Sequence, residues 1–195
     1  MAKREEKVTE STTKKPIQDL REWLQRVEEL GELVYVKEAV SCDEEMSAIG
    51  YLVAKQKPSP TILFDNIKGY EKSPFKARSL WNILGPSISR IALTMEEPPN
   101  TPTVALISRV KDKLKHRTLP REVPQSQAGF YENTLTGDQI DLTQLPIPKH
   151  WPLDGGRYAG TADCVITRDP DSGYLNVGTY RMMIQGKNET GLYLS

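Results

Sequence analysis

The segment from Tyr158 to Gln185 constrains this chain most. Two runs rich in strand-forming residues, Tyr158–Arg168 and Tyr174–Gln185, flank Asp169-Pro-Asp-Ser-Gly173, whose residue types suit a tight turn. Gly155-Gly156 opens the first run, Gly186-Lys-Asn-Glu makes a further turn, and Gly191–Ser195 begins a third strand. This punctuation predicts an antiparallel meander, the start of a β-barrel or sandwich. Upstream, Thr136-Gly137-Asp138 reads as a turn and Leu145-Pro-Ile-Pro148 as an extended corner. A meander that stops at Leu192-Tyr-Leu-Ser195 has an open edge, and an open edge invites pairing. The sequence is therefore expected to be the front part of a larger protein.

Before Pro120 the pattern differs. Met1–Lys15 is polar and aperiodic and is expected to be a tail without fixed structure. From Asp19, the residues Leu20, Trp23, Leu24, Val27 and Leu30 recur at helical spacing, and Gly31 follows as a helix stop. Leu33–Glu38 reads as a strand. Ser41 and Glu44 have the spacing of a capping box, opening a helix that would bury Met46, Ile49 and Val53 until Pro58 breaks it. Thr61–Ile67 reads as a strand, Lys68-Gly69 as a turn, Ala77–Leu80 as a strand and Ser87–Met95 as a helix. Pro98, Pro99 and Pro102 form a stiff connector to a helix over Thr103–Lys115, with Val104, Ile107, Val110 and Leu114 on its apolar face. The expected class is α+β. A tail over 1–15 is followed by a small α/β domain over 16–119 and by the first strands of a barrel over 120–195.

Charge and cysteine content narrow the function classes. The 26 Lys and Arg balance the 26 Asp and Glu, so nothing in the total attracts nucleic acid or an anionic membrane. No apolar run approaches the roughly 20 residues of a membrane span. Two cysteines in no ligand-type spacing suggest a reduced, cytoplasmic protein and exclude a disulfide scaffold. Cys164 alternates with Ala162 and Ile166 and is expected to be a buried, inert thiol. Of the two histidines, His116 ends a basic run at a helix C-terminus, and His150, between Lys149 and Trp151, is expected to be structural. Serine-nucleophile, P-loop and dinucleotide fingerprints are absent.

What remains is Asn176-Val-Gly-Thr-Tyr-Arg181. Asn176 is a neutral oxygen ligand of the kind that suits Mn²⁺ or Mg²⁺, and Arg181 is a planar fork matched to a carboxylate or phosphate. On a regular strand these two would face opposite ways. Sharing a site would require a bulge, for which Gly178 is the cheapest position.

This stretch resembles the prenyl-flavin-binding motif of the UbiD family of decarboxylases. The approach through Leu145-Pro-Ile-Pro148 and Trp151-Pro-Leu-Asp-Gly-Gly-Arg-Tyr158, and the Gly186-Lys-Asn188 turn, are similar to the same family. So are Asp19-Leu-Arg-Glu-Trp-Leu24 and Ile62–Gly69, so the resemblance runs from about Ile17 to the end. It implies a split β-barrel flavin domain and reversible decarboxylation of an aromatic or α,β-unsaturated acid. The implied cofactors are prenylated FMN, Mn²⁺ or another divalent metal, and K⁺. By position, Asn176 would be the metal ligand, Thr179, Tyr180 and Arg181 would line the flavin, and Arg181 would also face the substrate carboxylate. The backbone near Val177 would help hold K⁺.

The resemblance further implies a flavin prenyltransferase as cofactor supplier and either a homo-oligomer or a complementing C-terminal chain. In the family, the Glu proton donor and the other metal ligands lie beyond the portion matched, so these residues alone are expected to be inactive. Two readings stand beside the enzyme: a non-catalytic flavin-barrel subunit that complements a second chain, and a split-barrel flavin-binding module without decarboxylase chemistry.

Overall fold

In a computed structural model of the chain, residues 16–116, 118 and 121–193 are described. The expected tail over 1–15 and the last residues of the third strand lie outside them. The order of elements is α1 (Leu20–Glu29), β1 (Leu33–Val36), α2 (Glu45–Ala54), β2 (Thr61–Phe64), β3 (Ser79–Trp81), α3 (Ile88–Thr94), α4 (Thr103–Lys113), β4 (Tyr158–Arg168), β5 (Leu175–Ile184) and β6 (Thr190–Leu192), with short 3₁₀ turns between Gln125 and Gln144. This is the α+β class expected. Two units result: Met1–Leu33 with Leu84–Leu119, and Val34–Ile83 with Pro120–Ser195. Among the described residues no helix is long and apolar enough to cross a membrane.

In the first unit, α1 starts where Asp19 accepts a hydrogen bond from the Glu22 amide at 2.9 Å and stops at Gly31, whose φ of 71° is easy only without a Cβ. Its apolar stripe buries Trp23 and Val27, while Leu20 at its first turn is exposed. The Trp23 indole N–H donates to Thr94 Oγ1 at 3.0 Å. Ser87 caps α3 by accepting from the Arg90 amide. Arg90 itself is fully buried. It donates from Nε and Nη2 to the Leu84 carbonyl at 3.0 and 2.9 Å and pairs with Glu32 at 3.1 Å.

The face expected to be buried on α4 is not the buried one: Leu106 is covered, while Val104, Ile107 and Leu114 are exposed. Apolar residues surround the first turns of this helix, so periodicity does not select which stripe packs.

In the second unit, β1, β2 and β3 form a sheet in that order. β2 pairs antiparallel with β3, Leu63 opposite Leu80, and all four of its residues are buried. Val40, Cys42, Met46, Ile62, Phe64 and Ile67 form the core, with Ile49 and Val53 of α2 packed against it. The helix expected from Ser41 starts without a reciprocal cap between Ser41 and Glu44. Glu44 takes a left-handed conformation (φ 65°) and pairs with Lys149 at 2.9 Å, while Glu45 accepts from the Ser41 amide at 2.8 Å. The competing partner 105 residues away decides this, and spacing alone cannot reveal it.

The lead-in to the meander is tied to that helix start. The Lys149 amide donates to the Cys42 carbonyl at 3.0 Å, and the Tyr158 amide to the Pro148 carbonyl at 2.9 Å. β4, β5 and β6 then form the antiparallel meander.

Candidate functional site

The candidate residues lie on β5, and its pairing with β4 determines where each side chain goes. From Arg168 opposite Leu175 to Asp163 opposite Tyr180 the ladder runs without interruption. Gly178 pairs with Val165 inside that run, so no bulge forms at the glycine. The irregularities are on β4. Between Tyr180 and Met182 only Arg181 intervenes, whereas Thr161 and Ala162 lie between Gly160 and Asp163, and a second extra residue, Ala159, follows the same logic.

Because paired residues share a face, one face carries Asn176, Gly178, Tyr180 and Asp163, and the other carries Val177, Thr179, Arg181, Cys164 and Tyr158. Contacts agree with this division. A Cβ on Gly178 would come within 2.7 Å of Tyr180 Cζ and Oη, so the ring occupies the room left by the glycine. The Arg181 guanidinium stands 5.9 Å from the centre of the Tyr158 ring, within cation–π range. The structure thus groups Asn176 with Tyr180 and Thr179 with Arg181, and it does not bring Asn176 and Arg181 onto one face.

The face with Arg181 is open. Ile166 is 67% and Val177 62% exposed, and Cys164 is exposed too, not the buried thiol that its alternation suggested. Alternation identifies a face but not whether anything covers it, and among the described residues nothing covers this one. The side chains of Asn176, Thr179 and Tyr180 have no hydrogen-bond partner among the described residues, which leaves them free for a ligand.

Two further groups bear on the site: Asp163, which was not legible in the sequence, and His150, which was. Asp163 lies over Gly160, where an added Cβ would meet its carboxylate, and its Oδ2 is buried without a hydrogen-bond partner. It reaches that position because the bulge puts residues 160 and 163 on one face. His150 packs against Trp81 with ring centres 5.2 Å apart, and its Nε2 is buried and unpartnered. Burial holds its pKa below the ordinary imidazole value, against the pull of Asp154. These contacts fit the structural role expected for it. At the hairpin tip, Asp169 accepts from the Ser172 amide, the Ser172 hydroxyl and the Asp171 amide, which hold its carboxyl below the usual range.

A divalent ion of the Mn²⁺ or Mg²⁺ kind takes about six donors. Asn176 offers one amide oxygen, and among the described residues no group of three His, Cys, Asp or Glu could hold an ion. The donor set fits one share of a metal shell. For a flavin, the free side chains of Thr179 and Tyr180 offer contacts on opposite faces of the strand, and Tyr180 itself fills the room left by Gly178.

Comparison with known proteins gives two family profiles. Residues 24–110 match the 3-octaprenyl-4-hydroxybenzoate carboxy-lyase N-terminal domain, and residues 121–195 match the Rift-related domain of the same enzyme class. The chain is 32% identical over 180 residues to a phenolic acid decarboxylase of Escherichia coli O157:H7, covering 89% of this chain and 36% of that protein. It is 33% identical to a phenolic acid decarboxylase of Bacillus subtilis, covering 90% and 37%. Its structure resembles the closed form of vanillic acid decarboxylase from Sedimentibacter hydroxybenzoicus with a TM-score of 0.81 at 31% identity, over 92% of this chain and 37% of that one. It also resembles the UbiD-class enzyme HmfF from Pelotomaculum thermopropionicum in complex with prFMN, with a TM-score of 0.76 at 28% identity, over 90% and 38%. The chain thus spans little more than a third of the length of these relatives.

Proposed function

The chain belongs to the UbiD family of carboxy-lyases, and on that premise we propose that the protein built on it catalyses reversible decarboxylation of an aromatic or α,β-unsaturated acid with prenylated FMN. A hydroxylated aromatic acid is the first substrate class to test, because the relatives named above include phenolic acid and vanillic acid decarboxylases. The observation that carries the reading is the hairpin itself: Asn176, Thr179 and Tyr180 stand on an unbroken ladder with side chains free of partners, and Arg181 keeps its guanidinium at an open face.

When bound, the flavin supplies the electron sink that no amino-acid side chain offers. The chain's own residues do the positioning. Asn176 contributes one ligand to a divalent metal, Mn²⁺ in this reading, which offsets the phosphate charge. Thr179 and Tyr180 line the flavin. Arg181 orients the substrate carboxylate through a two-pronged contact. The proton donor, the remaining metal ligands and most of the K⁺ site belong to residues outside this chain. Assembly as a homo-oligomer or with a complementing chain, supply of the cofactor by a flavin prenyltransferase, and a cytoplasmic location complete the proposal.

The test is co-expression of the chain, together with any polypeptide that completes it, with a flavin prenyltransferase, followed by measurement of bound-flavin absorbance and of CO₂ release from a hydroxybenzoate and a cinnamate. Flavin retained with CO₂ released from either acid supports the reading. A protein that retains no flavin and releases no CO₂ from either overturns it.

A further inference from the structure

A cavity of about 500 Å³ opens in the second unit, lined by residues that include Ser41, Cys42, Lys68, Tyr70, Lys72 and Arg157. Three of its wall residues are cationic and none is acidic. Arg157 enters it half-buried. Its Nη1 donates to Tyr70 Oη at 2.7 Å and approaches Cys42 Sγ at 3.5 Å, both uncharged groups. Neither Arg157 nor Lys72 makes an ion pair among the described residues. Asp43 reaches Arg157 only at longer range, Glu71 plays the same part for Lys72, and Lys68 is held by Glu45 at 3.0 Å. Burying a guanidinium with uncharged partners is costly, and a compact anion offsets that cost best. The Ser41 hydroxyl in the same wall, which accepts from the Asp43 amide, keeps its proton for an oxyanion, whereas the hydroxyls of Ser73 and Thr143 already donate to the Gln144 carbonyl and to Asp141.

We propose that this cavity is a binding site for a phosphate-type oxyanion, free or carried by a small phosphomonoester, held by Arg157 and Lys72 with Lys68 at the rim. A fork on one side and a point charge on the other suit a tetrahedral anion. Carboxylates present only two oxygens and fill fewer of these donors.

The experiment is titration of the purified protein, together with any polypeptide that completes it, with inorganic phosphate, glycerol phosphate and acetate at constant ionic strength, read by calorimetry and by shifts in melting temperature. Saturable phosphate binding that weakens about tenfold in Lys72→Gln, while the melting temperature without phosphate is unchanged, is the expected result. Arg157→Lys keeps the charge but removes the fork, and is expected to weaken binding by a similar factor. Tighter binding of glycerol phosphate than of inorganic phosphate identifies a carried phosphate, and the reverse order a free one. Equal response to phosphate and acetate, or unchanged phosphate affinity in Lys72→Gln and Arg157→Lys, overturns the proposal.

Discussion

Tyr180 occupies the room that Gly178 leaves by having no side chain: a Cβ there would stand within 2.7 Å of the ring's Cζ and hydroxyl. The glycine therefore serves the tyrosine two residues along and does not bend the strand. Gly178→Ala is expected to displace the ring while keeping the ladder, because the obstructing atoms are the far end of a side chain. Bound-flavin absorbance should fall severalfold, with little change in melting temperature. Flavin occupancy unchanged in both Gly178→Ala and Tyr180→Ala would exclude Tyr180 from the cofactor surface.

Asn176 and Arg181 stand on opposite faces, so their substitutions should separate. Asn176→Ala is expected to lower metal and flavin content, since a shell with few spare ligands loses one. Arg181→Lys should retain flavin but slow turnover about 10²-fold, because a point charge cannot reproduce a two-pronged contact in the transition state. Metal analysis and flavin absorbance measured beside turnover check both. Full turnover in Arg181→Lys would remove the arginine from the substrate site.

Arg90 is the buried charge of the first unit, anchored by Leu84 and Glu32. Arg90→Ala is expected to cost about 3–5 kcal/mol, the usual consequence of breaking a buried pair from one side. Glu32→Gln keeps a hydrogen-bonding oxygen and should cost less. Denaturant unfolding reads both values, and an Arg90→Ala loss below about 1 kcal/mol would contradict the assignment.

His150 gives a pH dependence whose sign follows from burial. Its folded-state pKa lies below the ordinary imidazole value of about 6.5, so the unfolded chain takes up the proton first. Stability contributed by the neutral ring is complete above about pH 6.5 and is lost as pH falls below it. Melting temperature should decline from pH 7 toward pH 5, and His150→Phe should flatten that slope. An unchanged slope in the variant would assign the acid sensitivity elsewhere.

Local signals carried far in this sequence. Asp19, Gly31 and Ser87 act as the helix boundaries that their residue types predict, and the turn at Asp169–Gly173 joins two strands as its composition requires. What the sequence hid depends on distant partners. Glu44 abandons the capping position because Lys149 competes for it. The buried face of α4 depends on what packs there, not on period. The bulge on β4, opposite Arg181, stayed hidden because neither Thr161 nor Ala162 carries a bulge signal of the kind that Gly178 does. Arg157, given no role of its own within the lead-in Trp151–Tyr158, meets Tyr70 87 residues away.

The extra residues of β4 divide the hairpin into a tip and a base. The tip, 163–168 with 175–180, keeps a single register, and the slack at Ala159 and Thr161-Ala162 separates it from the base that holds Arg157, Tyr158 and Arg181. A tip of equal length taken from a relative can then replace this one as a cassette without turning any side chain of the base. Such a graft would carry the residues proposed to meet the cofactor and leave in place the arginine proposed to meet the substrate. If the proposed roles hold, the two kinds of recognition are expected to be separately exchangeable, with the boundary lying between Tyr180 and Arg181.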